Sequence, residues 1–139
     1  MDSIRVTLVE DNAIFCFLFK KFLEEYPSKK IEVELFPDGK KAWDHFVSIR
    51  DTPNLFPDML FIDINMPFMN GWALVESLSV QQFDFIQHIP IYMVSSSKSS
   101  SDIGKLKEYK FIKNYIIKPI DREGIYALLD EQYNASKST

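Results

Sequence analysis

Five short apolar runs, Ile4–Val9, Ile31–Phe36, Met59–Ile64, Ile89–Val94 and Asn114–Ile117, begin 27, 28, 30 and 25 residues apart. That spacing is the length of a strand plus the helix that returns the chain, and it limits the fold more tightly than any other feature. Three of the runs, Ile4–Val9, Met59–Ile64 and Ile89–Val94, are nearly continuous in apolar residues. Central parallel strands covered on both faces need that composition. Ile31–Phe36 alternates instead, with Ile31, Val33 and Leu35 set against Glu32 and Glu34, and predicts a half-exposed edge strand.

The intervening segments carry helical spacing. Phe15, Leu18, Phe19, Phe22, Leu23 and Tyr26 form one stripe ended by Pro27, and Ala42, Trp43, Phe46 and Val47 form a second after Asp38-Gly39. Trp72, Val75 and Leu78 follow Asn70, a suitable N-cap; Ile103, Leu106 and Tyr109 give a sparse fourth stripe; Ile125, Leu128 and Leu129 follow the capping Asp121. Five successive βα units predict one α/β domain over residues 1–133, a doubly wound five-stranded parallel sheet, with a polar frayed tail at 134–139. An eight-unit barrel needs roughly 250 residues and is excluded.

Composition narrows the function. Hydrophobic residues make up 46% of the chain, with 12 Phe, which excludes intrinsic disorder. A net charge of −4 argues against a nucleic-acid partner. One cysteine, Cys16, excludes an intramolecular disulfide and a Cys-rich zinc site. The longest apolar run, Ala13–Phe19, is far short of a membrane span, and the first residues lack a secretory pattern, so the expected location is the cytoplasm with no membrane partner.

Chemistry in open α/β sheets collects beyond the carboxyl ends of the strands. The first strand ends in Glu10-Asp11, and the third in Asp63, followed by Asn65, Pro67, Asn70 and Gly71. The fourth ends in Ser95-Ser96-Ser97 and the fifth in Lys118-Pro119. Three carboxylates and one ammonium in a single crevice leave a charge of −2, and like charges about 4 Å apart repel by roughly 4 kcal/mol at an effective dielectric near 20. One divalent cation cancels that charge, and oxygen-only ligands favour Mg²⁺ or Mn²⁺ over zinc. A carboxylate beside such an ion, a lysine and a hydroxyl is a competent phosphoryl acceptor, with Lys118 and Ser95 placed to meet the phosphoryl oxygens.

At these residues the chain resembles a response-regulator receiver domain of the two-component systems, in a single-domain form similar to the chemotaxis regulators. The motifs are Leu8-Val9-Glu10-Asp11-Asn12, Phe61-Ile62-Asp63-Ile64-Asn65-Met66-Pro67 through Met69-Asn70-Gly71, Val94-Ser95-Ser96, and Ile116-Ile117-Lys118-Pro119. The resemblance implies a flavodoxin-like (βα)5 fold with strand order 2-1-3-4-5. It implies that Asp63 accepts phosphate from a sensor histidine kinase, a histidine phosphotransfer protein or a small phosphodonor. It further implies that Asp11 and Asp63 ligate Mg²⁺ directly, Glu10 through water and Asn65 through its backbone carbonyl. Ser95 and Tyr115 match the switch positions, Asn65 and Ser97 those that tune dephosphorylation, and Pro119 the residue after a cis peptide. On this reading the domain is a phosphoacceptor that catalyses only its own phosphorylation and dephosphorylation, and no output domain follows.

Tyr109-Lys110-Phe111 stands where the family has a small-residue pair, and Val47–Pro57 and Ser79–Pro90 exceed its minimal length, which predicts extra helical turns or a partner surface. Lys98, Lys105, Lys107, Lys110 and Lys113 cluster around the fourth helix and fifth strand. The cluster reads either as a solvated helix face or, as the resemblance implies, as an output face of fourth helix, fifth strand and fifth helix that meets an acidic downstream protein. Asp63-Ile64-Asn65 also resembles a degraded haloacid-dehalogenase Asp-x-Asp, but that family places its acidic pair after the lysine. A phosphorylation-independent adaptor is the other alternative, against which the intact acids, hydroxyl and lysine argue. Cys16 and the Phe-rich first helix are expected to be core; His45 and His88 stand in no partner pattern and are expected to be structural, neither being a phosphorylated histidine.

Overall fold

The computed structural model describes residues 3–96 and 99–134. Strands β1 (Ser3–Val9), β2 (Lys30–Phe36), β3 (Met59–Asp63), β4 (Ile91–Ser95) and β5 (Asn114–Ile117) alternate with helices α1 (Ala13–Glu24), α2 (Gly39–Ser48), α3 (Gly71–Val80), α4 (Ser100–Glu108) and α5 (Arg122–Leu129). The sheet is wholly parallel in the order β2-β1-β3-β4-β5. β4 starts two residues later than its apolar run because Pro90 has no N–H for the ladder; its carbonyl instead accepts from Leu60 N at 3.1 Å. Among the described residues no helix is long and apolar enough to cross a membrane.

Alternation along the central strands divides the core in two. Ile4, Val6 and Leu8 of β1, Met59 and Phe61 of β3, and Tyr92 and Val94 of β4 pack with Phe19, Leu23, Ile125 and Leu129 of α1 and α5. Leu60 and Ile62 of β3 and Ile91 and Met93 of β4 pack on the other face, with Phe46 of α2 and Leu74, Val75 and Leu78 of α3. All five residues of β3 and of β4 are buried, which is why those runs are continuous rather than alternating. Across the register Leu8 faces Phe61 and Phe61 faces Tyr92, whose rings stack at 4.9 Å.

Side-chain caps start each helix where the sequence offers one. Asn12, Asp38, Asn70 and Asp121 each accept from a backbone N–H three residues on, at 2.8–2.9 Å. The two long connections form single 3-10 turns at Pro53–Leu55 and Asp84–Gln87, and they close on each other through aromatic rings. Phe56 stacks on Phe85 at 4.6 Å, and Trp43 meets Phe83 edge-on at 5.5 Å. A cavity of about 620 Å³, lined by Arg50, Phe56, Phe83 and His88 among others, lies there, at the amino ends of the strands.

One expectation needs correction. α1 is not simply core: Ile14 is 74% exposed, Phe17 66% and Leu18 42%. Seven consecutive apolar residues wrap the whole circumference of a helix, whereas the sheet covers one side, so positions 14, 17 and 18 face outward together. β5 is the sheet edge opposite β2, as the expected strand order requires, and it leaves Asn114 and Ile117 open to solvent. His45 has a partner: its Nε2 lies 3.4 Å from Glu34 Oε1, and its ring sits 4.8 Å from that of Phe36. That pairing joins an edge strand to a helix, which sequence spacing alone does not reveal.

Two glycines allow close backbone approach, Gly71 to the end of β3 and Gly39 to the β3–α3 loop. A Cβ on Gly71 would lie 2.5 Å from the Asp63 carbonyl oxygen, and one on Gly39 would lie 2.3 Å from that of Met69. Backbone cannot yield there as a side chain can. Gly71→Ala and Gly39→Ala should each lower unfolding free energy by about 1–3 kcal/mol. Gly104→Ala, mid-helix in α4 with nothing within 4 Å, should raise it by about 0.5–1 kcal/mol; urea denaturation of the three variants checks all three values.

Candidate functional site

Sheet register alone assembles the acids. Val9 pairs with Ile62, so the next residues along, Glu10 and Asp63, emerge side by side on strands about 4.8 Å apart. Glu10 is 1% exposed and Asp63 3%, and Asp11 stands at the rim. Carboxylate oxygens of Glu10, Asp11 and Asp63 can all lie within 4.8 Å of one another. Lys118 sits two strands from Asp63, where the Lys118 N–H donates to the Ser95 carbonyl at 2.8 Å. Its extended side chain reaches back over β4, placing Nζ 2.7 Å from Glu10 Oε1 and 3.4 Å from Asp63 Oδ1. The Lys118-Pro119 peptide bond is cis.

The loop after β3 holds the mouth of the site open. Gly71 N–H donates to the Ile64 carbonyl at 2.9 Å, which brings α3 directly against the Asp63 backbone. Between them the chain turns outward, with Phe68 at φ 66° and 90% exposed. Asn65, two residues beyond Asp63, is exposed. On the opposite side, Asn12 N–H donates to Glu10 Oε2 at 3.0 Å while its side chain caps α1. One asparagine therefore orients both the buried carboxylate and the helix that follows it.

Electrostatics follow from burial. Burial, reinforced by the neighbouring Glu10 charge, pushes the Asp63 carboxyl up to about 6, and Lys118 only partly opposes this. Burial disfavours the Lys118 ammonium, but its hydrogen bond and ion pair with Glu10, aided by Asp63, outweigh that and hold its pKa above the usual lysine value. The Lys118 ammonium also lies 4.7 Å from the centre of the Phe15 ring, a cation–π contact. Cys16 is half-buried, with Sγ 3.4 Å from the Glu10 carbonyl; burial and the Glu10 charge push the thiol up to about 11, so it stays protonated and unreactive near neutrality.

Ser95, fully buried, ends β4 beside this cluster, and Tyr115 lies on β5 with its ring turned inward. Tyr115 O–H donates to Asp102 Oδ2 of α4 at 3.1 Å, and Tyr115 also hydrogen-bonds Ser95. Trp72 Nε1–H donates to the other Asp102 oxygen at 2.9 Å. Ser97 and residues 135–139, which include most of the expected tail, lie outside the described residues. Sequence reading missed Asn12, Phe15, Trp72 and Asp102. The N-cap pattern before the α1 stripe could have found Asn12; the other three depend on contacts between distant elements.

Glu10, Asp11 and Asp63 offer only oxygen donors, carry excess negative charge, and converge closely enough to share one ion. That donor set fits a hard divalent cation and not a soft one.

The family model of the response regulator receiver domain matches residues 6–130. The sensor histidine kinase TmoS of Ectopseudomonas mendocina is 31% identical over 126 residues, covering 91% of this chain and 12% of that protein. The chain spans only 7–23% of the length of three such curated relatives. A two-component response regulator from Cytophaga hutchinsonii has a TM-score of 0.79 at 24% identity, covering 96% of this chain and 99% of that one. The Mn²⁺-bound form of response regulator Rcp1 has a TM-score of 0.71 at 18% identity, covering 94% and 93%.

The raised Asp63 carboxyl carries a stability signature. In the unfolded chain this group loses its proton near 3.8, and in the fold near 6. Between those values the folded state holds the extra proton, so stability falls as pH rises from about 4 to about 6 and is constant above. Asp63→Asn should remove that slope and stabilise the metal-free protein by about 1–3 kcal/mol at neutral pH. Thermal denaturation in EDTA across this range, giving equal slopes for both proteins, would contradict it.

Proposed function

This chain belongs to the response regulator receiver domain family, and on that premise we propose that Asp63 is its phosphoacceptor, served by Lys118, Ser95 and a Mg²⁺ or Mn²⁺ ion. One observation carries the assignment: the Lys118 ammonium lies 2.7 Å from Glu10 and 3.4 Å from Asp63 in a buried cluster of oxygen donors. A receiver domain is a signalling domain, and no turnover of an outside substrate is required of this site.

An Asp63 carboxylate oxygen attacks the phosphorus of a phosphohistidine or an acyl phosphate. The new O–P bond forms as the N–P or O–P bond of the donor breaks, and the leaving group keeps that electron pair. Asp11 and Asp63 would hold the ion directly together with the Asn65 backbone carbonyl, and Glu10 would reach it through water. When bound, the ion neutralises charge on the transferring oxygens. Lys118 exchanges part of its ion pairing for a phosphoryl oxygen, and Ser95 donates a hydrogen bond to another. Asn65 and Ser97 occupy the sequence positions that tune dephosphorylation, and Pro119 follows Lys118 through a cis peptide bond.

A phosphohistidine-bearing protein, either a histidine kinase or a histidine phosphotransfer protein, must cover the surface around Asp63 to deliver its phosphoryl group. The exposed Ile14, Phe17 and Leu18 of α1 and Phe68 of the β3–α3 loop supply apolar area suited to such a contact. The lysines of α4 and its flanks, Lys105, Lys107, Lys110 and Lys113, support an acidic downstream protein on the face of α4, β5 and α5. A reading as receiver domain over residues 1–133, acting in the cytoplasm, is consistent with these features.

Acetyl phosphate with Mg²⁺ should add one phosphoryl group per chain in intact-protein mass spectrometry, and EDTA should prevent it. Asp63→Asn should abolish labelling, and Lys118→Ala should slow it by on the order of 100-fold. Labelling of Asp63→Asn at the parent rate would overturn the assignment.

A further inference from the structure

α4 is fastened to the rest of the molecule in an unusual way. It has no fully buried residue; Ile103 and Leu106 are half-buried, and Tyr109 at its end stacks on Trp72 at 5.9 Å. Its firmest attachment is polar. Asp102, in the first turn and itself positioned by its N–H donating to Ser99 Oγ at 3.1 Å, receives Trp72 of α3 on one carboxylate oxygen and Tyr115 of β5 on the other. Three elements thus meet on one carboxylate, and Tyr115 connects it to Ser95.

Counting protons gives this network a direction. A tyrosine hydroxyl has one proton, and a carboxylate only accepts, so the Tyr115 proton is committed to Asp102. Toward Ser95, the phenol oxygen can then act only as an acceptor. The single Ser95 proton must therefore point to Tyr115, toward β5, and not to β3, where Asp63 stands. Ser95 cannot make that bond and donate to a phosphoryl oxygen on Asp63 at the same time.

We propose that Asp102 is a positioning residue that opposes phosphorylation: by taking the Tyr115 proton it turns the Ser95 hydroxyl away from Asp63 and holds the resting arrangement of α4. Without the carboxylate, Tyr115 can turn its own proton onto Ser95 Oγ. Ser95 then accepts from Tyr115 while donating to the phosphoryl group, and the competition is removed. The inference rests on the phosphoacceptor reading of Asp63 and adds a residue that controls it. Trp72 reports on the clasp, because its indole N–H is bound to the same carboxylate.

The test uses the full chain carrying Trp43→Phe, so that Trp72 is its remaining tryptophan. The protein is titrated with beryllofluoride in excess Mg²⁺, followed by Trp72 emission and independently by 19F NMR of bound fluoride. Asp102→Ala should shift Trp72 emission before any ligand is added and lower the half-saturating beryllofluoride concentration two- to tenfold, about the worth of one hydrogen bond. In a Ser95→Ala background, Asp102→Ala should leave the midpoint unmoved. An unchanged or raised midpoint in Asp102→Ala overturns the positioning role while leaving the phosphoacceptor reading intact, as does a shift that survives Ser95→Ala. Failure of the parent to bind beryllofluoride removes both.

Discussion

One ammonium makes this site possible. Two carboxylates buried side by side at adjacent strand ends repel by several kcal/mol, and the cost of removing each from water is added to that. Lys118 sits 2.7 Å from Glu10 and farther, 3.4 Å, from Asp63, so it offsets only part of the penalty on Asp63, whose carboxyl is still pushed up to about 6. The cluster is thus folded in a state that retains negative charge. Glu10, Asp11 and Asp63 converge closely enough for a hard divalent ion to offset that charge.

The rest of the fold serves to hold that arrangement. Parallel pairing of β1 with β3 sets Glu10 beside Asp63 through main-chain register, independent of any side-chain preference. The two-sided apolar core makes a slip of one residue prohibitive, since it would exchange the residues facing α1 and α5 with those facing α2 and α3 along whole strands. Gly71 permits α3 to approach the Asp63 carbonyl, and Asn12 couples the Glu10 carboxylate to the start of α1. Each device fixes Asp63 or its neighbour Glu10 from a different direction.

Helices on the two sides of the site are held by different physics. α3 buries Trp72, Leu74, Val75 and Leu78. α4 relies on directional bonds through Asp102 and on half-buried apolar residues. Hydrogen bonds can be exchanged one for another at small net cost, whereas apolar burial cannot, so α4 is the element that a change at Ser95 can reach. The outward apolar face of α1 is a separate matter: its exposure comes from a sequence richer in apolar residues than one sheet face can cover.

Much of this was legible in the chain before folding. Five runs at βα spacing, alternation in the second, caps at Asp38, Asn70 and Asp121, and acids, serine and lysine at strand ends are local patterns that backbone geometry translates directly into strands, helices and a shared crevice. Tertiary structure alone decided which apolar residues of α1 stay outside, that His45 pairs with Glu34, that Phe15 underlies Lys118, and that Asp102 joins Trp72 to Tyr115. Periodicity states which face of an element is apolar, but contacts between residues tens of positions apart depend on crossing angles and side-chain reach, and those exist only once the elements have packed.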